Sequence, residues 1–121
     1  RFTPPEGLGD DGGPVEIDLG RVAGVARLTL NGADLGITWK PPYAVDVTAR
    51  LRPGENELRV EVANTWHNRL VADADRPEAR RLSRVSQPYR YDRDAPLHRG
   101  GLLGPVRITL TMTHGISATT A

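Results

Sequence analysis

Aliphatic and polar residues alternate with a period of two along much of this chain, which is the pattern of strands with one buried face. Val15, Ile17 and Leu19 alternate with Glu16 and Asp18, and Ala26, Leu28 and Leu30 alternate with Arg27 and Thr29. Asn31-Gly32 follows at once and tolerates positive φ at both central turn positions, so it predicts a hairpin. The return strand is expected to carry Leu35, Ile37 and Trp39 inward. Pro41-Pro42 interrupts the ladder because proline has no amide proton. A strand resumes with Tyr43, Val45 and Val47, and Thr48 is placed to cap one helical turn over residues 48–51. After the Pro53-Gly54 turn, Leu58, Val60 and Val62 alternate with Glu57, Arg59 and Glu61, and near the end Val106, Ile108, Leu110 and Met112 alternate with Arg107, Thr109 and Thr111.

Between residues 64 and 100 the alternation fades. A short helix over Pro77–Arg84, capped by Asp75, and otherwise a long loop are expected there. Residues 1–13 read as a linker or the end of a preceding strand, 14–113 as the domain, and 114–121 as a frayed tail. The pattern predicts about six strands and no strong amphipathic helix, hence two sheets packed face to face. Roughly 18 inward aliphatic side chains, at about 1.5–3 kcal/mol each, offset the ordering entropy of such a domain by a narrow margin.

Composition narrows the chemistry. The 121 residues suit one domain. Sixteen basic and 15 acidic residues leave a net charge of +1, which gives no case for nucleic acid or an anionic membrane as partner. No apolar run approaches the roughly 20 residues of a membrane span. There is no cysteine, so thiolate chemistry and disulfides are excluded. The chain starts at Arg1 rather than methionine, and it is expected to be part of a longer polypeptide.

The order of motifs is similar to a known family. Val15-Glu-Ile-Asp-Leu-Gly20, Val25-Ala-Arg-Leu-Thr-Leu-Asn-Gly32, Leu35-Gly36, Asp46-Val-Thr48, Pro53-Gly-Glu-Asn56 and Leu58-Arg-Val-Glu-Val62 resemble the sugar-binding jelly-roll domain of family-two glycoside hydrolases. Gly36-Ile-Thr-Trp-Lys-Pro-Pro-Tyr43, Asn64-Thr-Trp-His-Asn-Arg-Leu70 and Gly101-Leu-Leu-Gly-Pro-Val106 resemble the C-terminal β-sandwich of bacterial α-L-rhamnosidase-like proteins. The resemblance covers residues 14–73 and 101–112. It implies an all-β, galactose-binding-domain-like jelly-roll β-sandwich in a multidomain, secreted or periplasmic hydrolase. It also implies an earlier strand, of which Arg1-Phe2-Thr3 looks like the end.

Catalytic chemistry finds little support in the residues. Glycoside hydrolysis needs two carboxylates about 5–10 Å apart, and the pairs Asp73/Asp75, Asp92/Asp94 and Asp10/Asp11 all lie in polar loop sequence. His67, His98 and His114 lack metal spacing, and Ser83, Ser86 and Ser117 lack a nucleophile-elbow context. Related jelly rolls often hold structural calcium. Asp10 and Asp11 with backbone carbonyls would supply some of its six to eight oxygens, but no loop is dense in ligands and no cofactor is expected.

Sugar contact needs aromatic plates beside planar polar groups. Trp39, Tyr43 and Trp66, with Lys40, Asn64, Asn68 and Arg69, are the candidates, and Tyr89 and Tyr91 are further plates. Each has a structural reading that weighs more. Trp39 continues an inward face, Trp66 packs where the sandwich closes, the asparagines tie down loops, and Arg69 pairs with Asp73. Residues 76–99 hold seven arginines, which suit docking on a catalytic domain or solvation better than nucleic acid. The expectation is a non-catalytic accessory module of a glycoside hydrolase, with carbohydrate and the parent's catalytic domain as partners. An autonomous carbohydrate-binding module and a purely structural interaction domain are the rivals.

Overall fold

The computed structural model describes residues 1–8, 13–84 and 93–111. Along the chain these form β1 (Val15–Asp18), β2 (Arg21–Ala23), β3 (Val25–Leu30), β4 (Ala33–Thr38), β5 (Ala44–Asp46), β6 (Leu58–Ala63), α1 (His67–Ala74), β7 (Gly101–Gly104) and β8 (Arg107–Leu110). The strands make three antiparallel sheets, ordered β5-β1-β8, β2-β7 and β4-β3-β6. Val15 and Ile17 from the first and Ala26, Leu28 and Leu30 from the third join one buried cluster with Leu19, Val22 and Val47. The chain is therefore an all-β sandwich with little helix. Leu58, Val60 and Val62 lie on a strand and pack against that cluster, while Arg59 and Glu61 face solvent.

The Asn31-Gly32 hairpin forms as its chemistry dictates. Asn31 and Gly32 have φ of 52° and 82°, and Leu30 faces Ala33 across the turn. The Thr48 turn also forms, with the Arg50 and Leu51 amides bonding Val47 O at 2.8 and 2.9 Å. Thr48 does not cap it. Its hydroxyl accepts from Val15 N at 2.9 Å and donates to Asp46 Oδ1 at 2.6 Å, tying β5 to β1.

Three expectations need correction. The first concerns β4. Its register against β3 slips between Leu28 and Thr29, so that Leu35 is the extra residue of a bulge. A one-residue bulge reverses the facing of everything beyond it. Leu35 still packs against the core, but Ile37 pairs with outward Arg27 and is 63% exposed, and Trp39 is 66% exposed. The second concerns the helix. The segment 77–84 holds only a 3₁₀ turn at Glu78–Arg80 with Pro77, not Asp75, before it. The α-helix lies upstream, in sequence read as loop. It buries Val71 and Asp73 and has no side-chain N-cap, so the usual start signal is missing. Asp75 is its C-cap, and Pro77 disfavours helical backbone at Arg76. The third concerns β2 and β7, which were not foreseen. They are three and four residues long and flanked by glycine. Gly24 joins β2 to β3 at φ 144°, where a Cβ would collide with the Ala63 carbonyl oxygen.

Phe2 exchanges backbone bonds with Asn56, N to O at 3.0 Å and O from N at 2.8 Å. Residues Asp10, Asp11, Ser86, Tyr89, Tyr91, Asp92, Met112, His114 and Ser117, and the tail from 114, lie outside the described residues.

Candidate functional site

The strand directions gather most of the candidate side chains at one end of the sandwich. β4 and β6 are both antiparallel to β3, so they run parallel to each other and leave the sheet at the same end, two strand spacings or roughly 10 Å apart. Trp39 and Lys40 follow β4 directly; Asn64, Thr65 and Trp66 follow β6. The loop from Trp39 leads to Tyr43, whose carbonyl accepts from Leu19 N at 2.8 Å, so the turn after β1 lies there too.

Of the candidates at this end, Trp39, Lys40, Asn64, Trp66 and Arg69 are exposed. The Lys40 ammonium sits 5.4 Å from the Trp39 ring centroid, a cation–π contact at the surface. Val25, Ile37 and Trp39 lie on the outer face of β3 and β4, exposed at 39%, 63% and 66%. The rest of that face carries the ion pairs Arg27–Asp34 at 2.6 Å and Arg59–Glu61 at 2.9 Å. Asp34 also accepts from Gly36 N, which closes the bulge, and the Arg27 guanidinium and that amide hold its carboxyl below the ordinary carboxylate value. Trp66 is 70% exposed and does not fill the sandwich, contrary to the core role weighed for it.

Tyr43, Asn64 and Asn68 are engaged within the domain. Tyr43 is half-buried against the core. Asn68 clamps His98, donating to its carbonyl at 2.7 Å and accepting from its amide at 2.9 Å. The rings of His67 and His98 stack 3.7 Å apart, and His67 Nε2 lies 3.0 Å from Pro96 O. Asn64 Oδ1 accepts from Thr65 N at 2.7 Å, and its amide occupies the space a Cβ at Gly100 would need. These contacts fasten the 96–100 segment beside Trp66.

Of the carboxylate pairs weighed above, only Asp73/Asp75 lies wholly within the described residues. Asp73, read as a solvated loop residue, is 2% exposed. Its Oδ2 accepts from Ser83 Oγ at 2.6 Å, Ser83 N at 2.8 Å and Leu82 N at 3.0 Å. The Ser83 hydroxyl chiefly, with those amides and Arg76, holds the carboxyl below its ordinary value against the opposing effect of burial. Its ion-pair partner is Arg76 at 3.6 Å, not Arg69. Asp75 is exposed on the next turn. In the arginine-rich stretch, Arg81 bonds Arg76 O and Arg93 pairs with Asp94. Among the described residues no group of three or more His, Asp or Glu is placed to hold a metal ion.

The opposite end carries a feature that sequence reasoning passed over. Asn56, the last residue of a turn motif, is wholly buried. Its Oδ1 accepts from Asn31 Nδ2 at 2.8 Å and Arg52 N at 2.9 Å, and its Nδ2 donates to Arg52 O and Gly54 O, both at 2.8 Å. A cavity of 720 Å³ opens at this end between residues 3–8, Val15, Thr48 and residues 51–53.

No family model matches the chain. A protein of Formosa agariphila named "Putative beta-glucuronidase" is 36% identical over a 118-residue alignment that covers 79% of this chain and 10% of that protein. The solved structure of a rhamnosidase from Novosphingobium sp. PP1Y superposes with a TM-score of 0.77 at 40% identity, covering 88% of this chain and 10% of that one. Both relatives carry the names of glycoside hydrolases, and the chain spans about one tenth of the length of each, so it is related to a small segment of these much larger proteins.

Proposed function

We propose that the chain is a non-catalytic accessory β-sandwich of the galactose-binding-like jelly-roll class within a larger, secreted or periplasmic glycoside hydrolase. It packs on the catalytic domain, and its tryptophan end lines the rim of that domain's sugar cleft. The observation that carries this reading is the placement of Trp39 and Trp66, both about two-thirds exposed, at one end of a sandwich whose relatives are named as hydrolases. Exposed tryptophans are uncommon on a monomer surface and suit either an interface core or the apolar face of a sugar ring. Lys40 and Arg69 supply donors for hydroxyls or carboxylates beside them. The engaged states of Asn64, Asn68 and Asp73 support a structural rather than catalytic part for those groups.

Calorimetric titration of the 121-residue chain with rhamnose, galactose, glucuronate and oligosaccharides containing them tests the reading. An accessory module leaves the sugar site to be completed by the catalytic domain, so no saturable binding is expected up to millimolar sugar. Binding at millimolar affinity or tighter by the chain alone overturns it in favour of an autonomous carbohydrate-binding module.

A further inference from the structure

The three segments that meet at the tryptophan end carry charge of one sign. Residues 36–43, 64–70 and 95–101 contain Lys40, Arg69 and Arg99 and no Asp or Glu. All three cations are exposed, and among the described residues none has a carboxylate partner. On the outer face of the β4-β3-β6 sheet, by contrast, Arg27 and Arg59 are matched by Asp34 and Glu61. The carboxylates that flank the end are engaged or distant. Asp18, the last residue of β1, accepts from Gly20 N at 2.8 Å. Asp73 is buried on its bonds to Leu82 and Ser83, and Asp94 lies 3.8 Å from Arg93. Asp75 is the C-cap of α1, about 13 Å along the helix from Trp66.

Packing fixes where these charges stand. The Lys40 ammonium lies 5.4 Å from the Trp39 ring centroid, so a sugar that covers this ring meets the charge beside it. Asn68 and His98 clamp α1 to the 96–100 segment. The clamp sets the next residue of each, Arg69 and Arg99, on adjoining stretches of chain beside Trp66. Guanidiniums without partners offer forked N–H donors that match a carboxylate or a sulfate. No internal ion pair has to be broken before such an anion binds, and complementary charge draws it in. The segments that bear Trp39 and Trp66 leave the sheet roughly 10 Å apart, so the charges are spread along the end rather than gathered at a point. That layout suits a chain whose sugars carry anionic groups at intervals, with sugar faces lying on the two indoles.

We infer that the tryptophan end takes an acidic polysaccharide, whose carboxylates or sulfate esters meet Lys40, Arg69 and Arg99 while its sugar faces cover Trp39 and Trp66. The inference rests on the proposed reading of this end as the rim of a sugar cleft, and adds to it the charge of the sugar and the residues that select it.

Calorimetric titration of the full-length protein with polygalacturonate, a sulfated galactan and a neutral galactan is the test. At least one acidic polymer is expected to bind more tightly than the neutral one, and the tighter of the two names the anion. Lys40→Gln, Arg69→Gln and Arg99→Gln together are expected to weaken that binding by about tenfold and to leave the neutral polymer unaffected. The melting temperature of this variant, whose three positions are exposed, serves as the folding control. Acidic polymers bound no more tightly than the neutral one overturn the inference, and so does an unchanged affinity in the charge variant. If the substitutions instead raise the oxidation of Trp39 and Trp66 in the sugar-free full-length protein, the cations hold an acidic surface of the catalytic domain and the inference falls. Trp39→Ala with Trp66→Ala separates the two readings. Weaker binding of acidic and neutral polymers alike, with no effect of the charge variant, sinks this inference and leaves the sugar rim standing. No effect of either variant sinks both.

Discussion

Replacing Asn56 by alanine removes four hydrogen bonds from a site with 0% exposure. The amides of Arg52 and Asn31 lose their acceptor, and the carbonyls of Arg52 and Gly54 lose their donor. Each neutral bond is worth about 1 kcal/mol net, and a buried group left unpaired costs about 1–3 kcal/mol. The 50–55 turn is largely exposed, so part of its backbone rehydrates, and the expected loss is about 2–4 kcal/mol. For a domain of this size that lowers the melting temperature by about 6–15 °C. Urea unfolding at pH 7 measures it as a lower midpoint with unchanged slope. Asn56→Asp sharpens the test, because an isosteric carboxylate aims an oxygen at two carbonyls now 2.8 Å away. It is expected to cost at least as much as alanine, and to recover partly in acid when the protonated carboxyl donates again. Loss of less than about 0.5 kcal/mol in Asn56→Ala, the level of an ordinary surface change, refutes the reasoning that this side chain holds the turn, the hairpin and the Phe2 pairing together.

Other expectations are as direct. Trp39→Ala and Trp66→Ala remove exposed rings and should leave stability within about 0.5 kcal/mol, whereas Leu28→Ala empties a fully buried position and should cost about 2–5 kcal/mol; thermal melts of the three compare them. The Asp73 carboxyl is held below its ordinary value, so its contribution is complete above about pH 4, the unfolded carboxylate value. It is lost as pH falls through the lower folded value. The stability gap between the parent and Asp73→Asn should therefore narrow in acid urea titrations, and a gap independent of pH contradicts the anchor role. Gly24→Ala places a Cβ against the Ala63 carbonyl oxygen at a φ of 144°, and its urea midpoint should fall by at least about 1–3 kcal/mol equivalent.

The sandwich was legible wherever strands were long enough to show their period: alternation selects the residues that β1 and β3 bury and those that β6 and β8 turn half-buried against the core, although Val106, selected with them, lies just before β8 and is 44% exposed. The errors follow from local devices that leave no periodic trace. One bulged residue at Leu35 sent Ile37 and Trp39 to solvent, and only the Asp34 and Gly36 pair around it hints at a break. The helix α1 hides because its eight residues offer barely two turns and its cap is a tryptophan. Asp73 looked like a turn residue, and its partners Leu82 and Ser83 lie nine and ten positions away, beyond any local pattern. At the candidate site the sequence supplied the residues but not their division. Trp39, Lys40, Trp66 and Arg69 separate from Tyr43, which packs on the core, and from Asn64 and Asn68, which meet residues 98–100, only once that packing is known.

Whether the tryptophan end faces a catalytic domain is read most directly by hydroxyl-radical footprinting of Trp39 and Trp66, in the 121-residue chain and in the full-length protein. Both rings should oxidise readily in the short chain and be shielded several-fold in the full-length protein, with the shielding of at least one increased by substrate. Equal oxidation of both rings in the two forms, with or without sugar, would contradict the account.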